Sequence, residues 1–128
     1  MDFRDGLGSC KLMAFAGVTD RDSARSFYRD ALGLTLVHED DFALVFESNG
    51  TTLRVSPVKE MTPAKYTVLG WQVPDIVAAV KALVERGITF ERYGFFPQDD
   101  LAIWTAPDGT RVAWFKDPSG NTLSVSQH

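Results

Sequence analysis

The stretch WFKDPSGNTLSVSQH (residues 114–128) closes the chain and indicates a hairpin. Its centre, Asp117-Pro118-Ser119-Gly120-Asn121, is a run of turn-forming residues between two short segments with alternating apolar side chains. These segments, TRVAWFK (110–116) and NTLSVSQ (121–127), are predicted to be the last strands of a sheet. Upstream of this hairpin, the chain has the same order of elements twice.

The second half of the chain begins with a predicted strand, YTVLGWQV (66–73), followed by a predicted helix, PDIVAAVKALVERG (74–87). Apolar residues recur on one face of this helix, and Gly87 is typical of a helix end. Two further runs, ITFERY (88–93) and LAIWTA (101–106), have the composition of strands. They lead into the closing hairpin.

The first half of the chain has a matching order. A predicted strand, KLMAFAGV (11–18), precedes a helix that starts after the N-cap residue Asp20 and ends at Gly33. Three predicted strands follow, with a strong Asn-Gly hairpin signal between the last two. They are LTLVHE (34–39), FALVFES (42–48) and TTLRVSPV (51–58).

Two halves in the order strand, helix, strands indicate duplication of one unit. We predict an α+β fold in a single domain, 1–128, with βαβββ module one at about 11–58 and module two at about 66–127. A linker lies between them, at about 59–65, within the stretch SPVKEMTPAK (56–65), which contains two prolines. Each module would form a twisted sheet with a helix on one face. The other faces would line a cleft, where small ligands usually bind.

The chain of 128 residues has an ordinary globular composition, with 45% hydrophobic and 23% charged residues. Its net charge of −4 and scattered basic residues argue against a nucleic-acid partner. No apolar run approaches the roughly 20 residues of a membrane span, and the N-terminal MDFRDGLGSC lacks the apolar core of a secretion signal. Cys10 is the only cysteine, which fits a cytoplasmic protein.

The segments FYRDALGL (27–34) and FKDPSGNTL (115–123), together with Asp20, Ser23 and Val73, resemble the vicinal oxygen chelate superfamily. This superfamily includes glyoxalase I, bleomycin-resistance proteins, fosfomycin-resistance enzymes and extradiol dioxygenases. The resemblance covers nearly the whole chain. It implies two βαβββ modules, a U-shaped cleft and a homodimer. It does not fix an activity, because one fold hosts several chemistries.

In metal-dependent relatives, the first and last strands of each module supply His, Gln or Glu ligands. The matching positions here fall near Met13, Arg54, Val68 and Ser124. A thioether, a guanidinium, an alkyl group and a hydroxyl do not form a plausible site for a divalent metal. His38 lies in an acidic hairpin that we expect to be solvated. The sequence therefore predicts no metal in the family position and no other cofactor.

Strand alternation and the composition of loop 93–109 define the predicted ligand-binding residues. They are Met13, Phe15, Arg54, Gln72, Phe95, Phe96, Trp104, Trp114 and Ser124. Arg54 would hold an anionic group of a ligand, or would point into water at the mouth of the cleft. The aromatic residues would stack on a planar ligand, or would plug the end of the barrel or form a dimer interface.

Three functions remain open at this stage. The first is a metal-independent small-molecule binding protein of the bleomycin-resistance type. The second is a glyoxalase- or dioxygenase-like enzyme, acting as a lyase, isomerase or oxidoreductase with a displaced metal site. The third is a module that acts through its dimer or a protein partner. Strand alternation places no His, Glu or Asp on the cleft side, so we assign no catalytic residue and favour the binding protein.

Overall fold

The computed structural model of the protein describes residues 6–128. Residues 1–5 belong to the N-terminal stretch in which no secretion signal was found, and they lie outside the described residues. After a short 3-10 helix at Leu7–Ser9, the chain forms two four-stranded mixed sheets and two helical regions. Among the described residues, no helix is both long enough and apolar enough to cross a membrane.

Module one consists of a strand, a helix and three further strands, and in its sheet the four strands lie in the order first, fourth, third, second. Asp20 caps the helix as predicted, since its carboxylate accepts hydrogen bonds from the backbone N–H groups of Asp22 and Ser23. The helix starts as α-helix and continues with the wider turns of a π-helix, which the sequence did not indicate. The bounds are β1 Met13–Val18, α1 Arg21–Arg25, the π-helical continuation Ser26–Ala31, β2 Thr35–Glu39, β3 Leu44–Ser48 and β4 Thr51–Pro57.

Module two repeats this arrangement, with the same order of its four strands in the sheet. In both modules, the first and last strands pair in parallel, and the other strands pair antiparallel. The two-module α+β fold predicted from the sequence is confirmed. The bounds are β5 Thr67–Gln72, α2 Ile76–Glu85, β6 Trp104–Thr105, β7 Arg111–Lys116 and β8 Thr122–Gln127.

Two strand predictions in module two need correction. Residues 88–93 form no strand among the described residues, where only Phe90 makes an isolated bridge to Phe115, and the run at 101–106 shortens to β6. For the run at 101–106, the cause is a turn centred on Asp99. Its carboxylate accepts hydrogen bonds from the N–H groups of Leu101 and Ile103, and Ala102 takes a positive φ of 65°. These contacts replace the pairing that an extended chain would make.

The helix-covered sides of both sheets share one apolar core. In the helix of module one, the ring of Tyr28 lies 5.7 Å from the ring of Phe46 on β3, and the ring of Phe27 lies 6.3 Å from that of Phe115 on β7. The apolar side of the helix therefore contacts both sheets, while Asp22, Arg29 and Asp30 on its other side are exposed. The side of each sheet that does not carry a helix, here called its outer face, points away from this core.

The predicted turn at 117–121 also ties the two modules together. Ser119 Oγ accepts a hydrogen bond from the backbone N–H of Thr19 at 2.9 Å, and Asn121 Nδ2 donates to the carbonyl of Gly17 at 2.8 Å. Both contacts join the turn to the end of β1. The contact of Asn121 links residues that are 104 positions apart in the chain. The turn thus fixes the position of module two against module one.

Candidate functional site

Three of the predicted ligand-binding residues lie on the outer face of sheet one. In the parallel pair of β1 and β4, Phe15 is opposite Arg54 and Met13 is opposite Thr52. Met13 is 46% exposed and Phe15 is 62% exposed, whereas the intervening residues of β1 face the core. Strand alternation thus placed these three side chains on the correct side of the sheet.

Two ionisable side chains on the same outer face were missed. Glu47 on β3 is opposite Thr52, and its Oε1 accepts a hydrogen bond from Thr52 Oγ1 at 2.7 Å. His38 is opposite Val45, because a bulge between Leu36 and His38 turns the histidine to the outer side. The expectation that no Glu or His faces this side is therefore wrong. The position of Glu47 could have been inferred from the alternation of apolar residues in β3. The bulge that turns His38 outward has no clear signal in the sequence.

Arg54 is half-buried between neighbours on both sides of β4. Phe15 is its partner on β1, and Val45 is its partner on β3. Among residues 6–128, Arg54 makes no hydrogen bond or ion pair. Its guanidinium can therefore bind an anionic group from outside the chain, a contact for which its planar N–H donors are well suited.

Ser124 and Gln72 lie on the outer face of sheet two. Ser124 is only 8% exposed, and its strand partners are Gly70 on β5 and Trp114 on β7. A Cβ atom on Gly70 would come within 2.8 Å of Ser124 Oγ, so β5 offers only backbone beside this hydroxyl. The residue of β5 beside Ser124 is Gly70 and not Val68, and a bulge between Thr67 and Leu69 shifts the register here by one residue.

Five aromatic rings cover the remainder of this outer face, and we call them the aromatic layer. Phe96 of the loop lies 5.3 Å from Trp104 on β6 and 5.5 Å from Trp114 on β7, measured between ring centroids. Tyr93 contacts both Phe96 and Trp114, and Phe95 packs edge-on against Phe96 while remaining 80% exposed. The fold therefore brings together the predicted residues Phe95, Phe96, Trp104 and Trp114.

Gln98 holds the loop that carries three of these rings. Its Oε1 accepts a hydrogen bond from the N–H of Tyr93 at 2.7 Å, and its Nε2 donates to the carbonyls of Glu91 and Ala102 at 3.0 and 2.8 Å. Burial, with repulsion from Glu91 as the second cause, raises the pKa of Tyr93. Its phenol therefore stays protonated at neutral pH and remains a hydrogen-bond donor.

Within one chain, the predicted site residues form two separate groups. Met13, Phe15 and Arg54 belong to the outer face of sheet one, and the other predicted residues belong to that of sheet two. The shared core, to which the helix of module one contributes, lies between the two groups. This separation could not be read from strand alternation, which gives the side of each sheet but not how the sheets pack on each other.

A family model described as the Glyoxalase/Bleomycin resistance protein/Dioxygenase superfamily matches residues 12–125. The chain belongs to this superfamily. Its two modules with parallel first and last strands agree with that membership, as does the turn at 117–121 that was recognised in the sequence. A comparison with curated proteins gives no significant match.

Solved structures of the superfamily share this fold. A glyoxalase/bleomycin resistance protein/dioxygenase from Alicyclobacillus acidocaldarius is 18% identical with a TM-score of 0.72, over 94% of this chain and 92% of the other. A superfamily member from Sphaerobacter thermophilus is 25% identical with a TM-score of 0.69, over 91% and 97%. A lactoylglutathione lyase from Agrobacterium tumefaciens is 20% identical with a TM-score of 0.68, over 93% of each chain. Such identities establish the fold and leave the activity open.

The side chains at the family's metal positions do not fit a divalent ion. On sheet one they are a thioether from Met13 and a guanidinium from Arg54, and on sheet two a hydroxyl from Ser124 faces the bare backbone of Gly70. Between residues 6 and 128, no three His, Cys, Asp or Glu side chains come together as potential ligands. Glu47 therefore lacks the partners that a metal centre on sheet one would need.

Proposed function

We propose that this superfamily member is a metal-independent small-molecule binding protein of the bleomycin-resistance type, which holds a planar or amphipathic ligand. The observation that carries the proposal is the aromatic layer on the outer face of sheet two. Its rings are already packed against each other and held by Gln98, so a flat ligand finds a prepared stacking surface. The half-buried indole of Trp114 and the hydroxyl of Ser124 lie beside each other at the edge of the aromatic layer.

A homodimer completes the site in this proposal. Each chain presents one apolar and cationic half on sheet one and one aromatic half on sheet two. Phe15 and Phe95 are mostly exposed in a single chain, and large exposed apolar side chains on a functional face favour association. A second copy would place its Met13, Phe15 and Arg54 opposite the aromatic layer. The expected cytoplasmic location, with neither nucleic acid nor a membrane as partner, is part of the same proposal.

The alternative is an enzyme of the glyoxalase or dioxygenase type with a displaced metal site. Glu47 and His38 favour it, because both lie on the outer face of sheet one, which also carries Arg54. A carboxylate held by Thr52 could act as a general base on a substrate whose anionic group Arg54 holds. No transformation of a bound ligand is needed in the binding-protein proposal, so the two candidates differ in an observable way.

Ligand titration followed by tryptophan fluorescence tests the binding proposal. After dialysis against a chelator, the protein should bind a planar aromatic compound from a screened panel, and the bound compound should be recovered unchanged. Phe96→Leu should weaken the affinity by about tenfold or more through loss of stacking. Phe42→Leu is the control, since Phe42 is an exposed ring outside the aromatic layer.

Three results would decide against the proposal. A stoichiometric transition metal that survives dialysis, with binding lost when it is removed, would favour the enzyme. An affinity that Phe96→Leu leaves unchanged would remove the aromatic layer from the site. Conversion of the ligand that stops in Glu47→Gln would establish the enzymatic alternative.

A further inference from the structure

A cavity lies on the helix-covered side of sheet two, opposite the outer face that carries the aromatic layer. It has a volume of about 330 Å³ and is separate from the aromatic layer. Leu32 and Leu34, which follow the helix of module one, form one wall; Ala79 and Leu83 on α2 form another. Its floor is the core side of sheet two, where Trp71 and Phe115 contribute.

The lining is apolar except for two residues, Ser48 and Arg86. Ser48 Oγ is already engaged, because it accepts a hydrogen bond from Trp71 Nε1 at 3.0 Å. Arg86 caps the C-terminal end of α2 and is exposed, so it lies at the mouth of the cavity. The only hydrogen bond of its side chain among the described residues is a long one, 3.4 Å from Nη1 to the carbonyl of Ala31, and no acid pairs with it there.

We propose that this cavity binds an amphipathic carboxylate, with the apolar part between α2 and sheet two and the carboxylate on Arg86. The volume is roughly twice the ~150 Å³ that accommodates a benzene molecule, which corresponds to about a dozen non-hydrogen atoms. An apolar chain gains free energy from entering such a lining, whereas water gains few hydrogen bonds there. The single weakly bonded guanidinium at the mouth selects an anion over a neutral molecule.

Isothermal titration calorimetry with decanoate, below its micelle range, tests the proposal. We expect one decanoate per chain, and a weaker interaction with decanol, which matches the chain but carries no charge. Arg86→Gln should reduce the decanoate affinity by about tenfold or more and leave decanol binding unchanged, since only the charge-assisted contact is removed. Absence of decanoate binding, or equal decanoate affinity in Arg86→Gln, would overturn the proposal.

The location is tested separately with decanoate that carries a bromine at its terminal carbon, a quencher of nearby indoles. The protein has three tryptophans, and only Trp71 lines this cavity. Quenching should disappear in Trp71→Phe and persist in Trp104→Phe. Quenching that depends on Trp104 would place the ligand on the aromatic layer and would exclude the cavity.

Two further outcomes also decide the matter. Ala79→Phe fills the cavity and should abolish binding of both decanoate and decanol, after circular dichroism has confirmed that the variant is folded; unchanged binding would contradict the proposal. If a second chain covers this mouth instead, decanoate affinity will fall as the protein concentration rises, which would likewise overturn it.

Discussion

The hydroxyl of Tyr28 donates a hydrogen bond to Asp117 Oδ2 at 2.7 Å, and this contact joins the helix of module one to the turn of module two. Both residues are buried. Asp117 also accepts from Asn121 Nδ2 and from the backbone N–H groups of Ser119 and Asn121. Burial, followed by the adjacent Asp117 carboxylate, raises the pKa of Tyr28 far above its usual value, so the phenol stays a donor.

Removing this hydroxyl should destabilise the fold. In Tyr28→Phe, the buried Asp117 carboxylate loses one donor while the aromatic packing remains, which we expect to lower the free energy of unfolding by about 1–3 kcal/mol. Urea denaturation measures the change. Tyr66→Phe is the matched control, because Tyr66 is exposed and its loss of a hydroxyl should have little effect. Equal stability of Tyr28→Phe and the unaltered protein would contradict this role.

An acid-dependent loss of stability should arise at Glu39. Hydrogen bonds from Arg25, and then from Arg21, lower the pKa of Glu39 from 4.5 to about 2. The pKa of Glu39 is lower in the folded protein than in the unfolded chain, so its contacts with Arg25 and Arg21 stabilise the protein above pH 4.5. This contribution is lost as the pH falls from 4.5 towards 2. Thermal melting across this range should show a shallower decline in Glu39→Gln than in the unaltered protein.

The control for this experiment is Glu60→Gln in the linker, where the described structure gives the side chain no ion pair. It should follow the pH profile of the unaltered protein. Identical pH profiles for Glu39→Gln and Glu60→Gln would show that the arginine pair contributes nothing measurable.

Gly120 should tolerate substitution less well than Gly109. Both have a φ of 92°, so an alanine at either position is strained, by about 1–2 kcal/mol. At Gly120, a Cβ atom would also come within 3.0 Å of Pro63 Cγ in the linker, whereas nothing lies within 4 Å of a Cβ atom at Gly109. Urea denaturation of Gly120→Ala and Gly109→Ala isolates the contact with the linker. Equal losses in the two variants would mean that Pro63 moves aside without cost.

Gln98 should control ligand affinity through the loop and not by direct contact. Gln98→Ala removes the three hydrogen bonds that this side chain makes with Tyr93, Glu91 and Ala102, so hydrogen exchange at Tyr93 should become faster. Affinity for a planar ligand should fall roughly tenfold, because the rings must then be ordered on binding. Slow exchange at Tyr93 in Gln98→Ala, with normal affinity, would contradict this role and show that the other contacts of the loop are enough to hold it.

Local chemistry made most of the fold predictable. The N-cap at Asp20, the apolar stripe of α2 and the Asn49-Gly50 hairpin each act within a few residues of sequence. The missing strand at 88–93 shows the limit. Its residues have strand composition, but the hydrogen bonds of Gln98 and Asp99 hold the chain in a loop, and such contacts depend on side-chain positions that periodicity does not describe.

The sequence predicted on which side of its sheet most candidate site residues lie, but not how the two sheets pack against each other. Alternation placed Phe15 and Arg54 together, because a strand residue can point only to one of two faces. It misplaced His38, whose direction is reversed by a bulge. It also gave no indication that the outer faces point away from a common core, since that follows from the long-range packing of Phe27 on Phe115.

The single core that both sheets share with the helix of module one separates the residues that maintain the fold from those that would meet a ligand. Tyr28, Phe46 and Phe115 carry the packing, while Phe15 and Phe96 lie on surfaces that this packing does not use. We therefore expect substitutions on one outer face to change ligand contacts without removing side chains from the core that both sheets share.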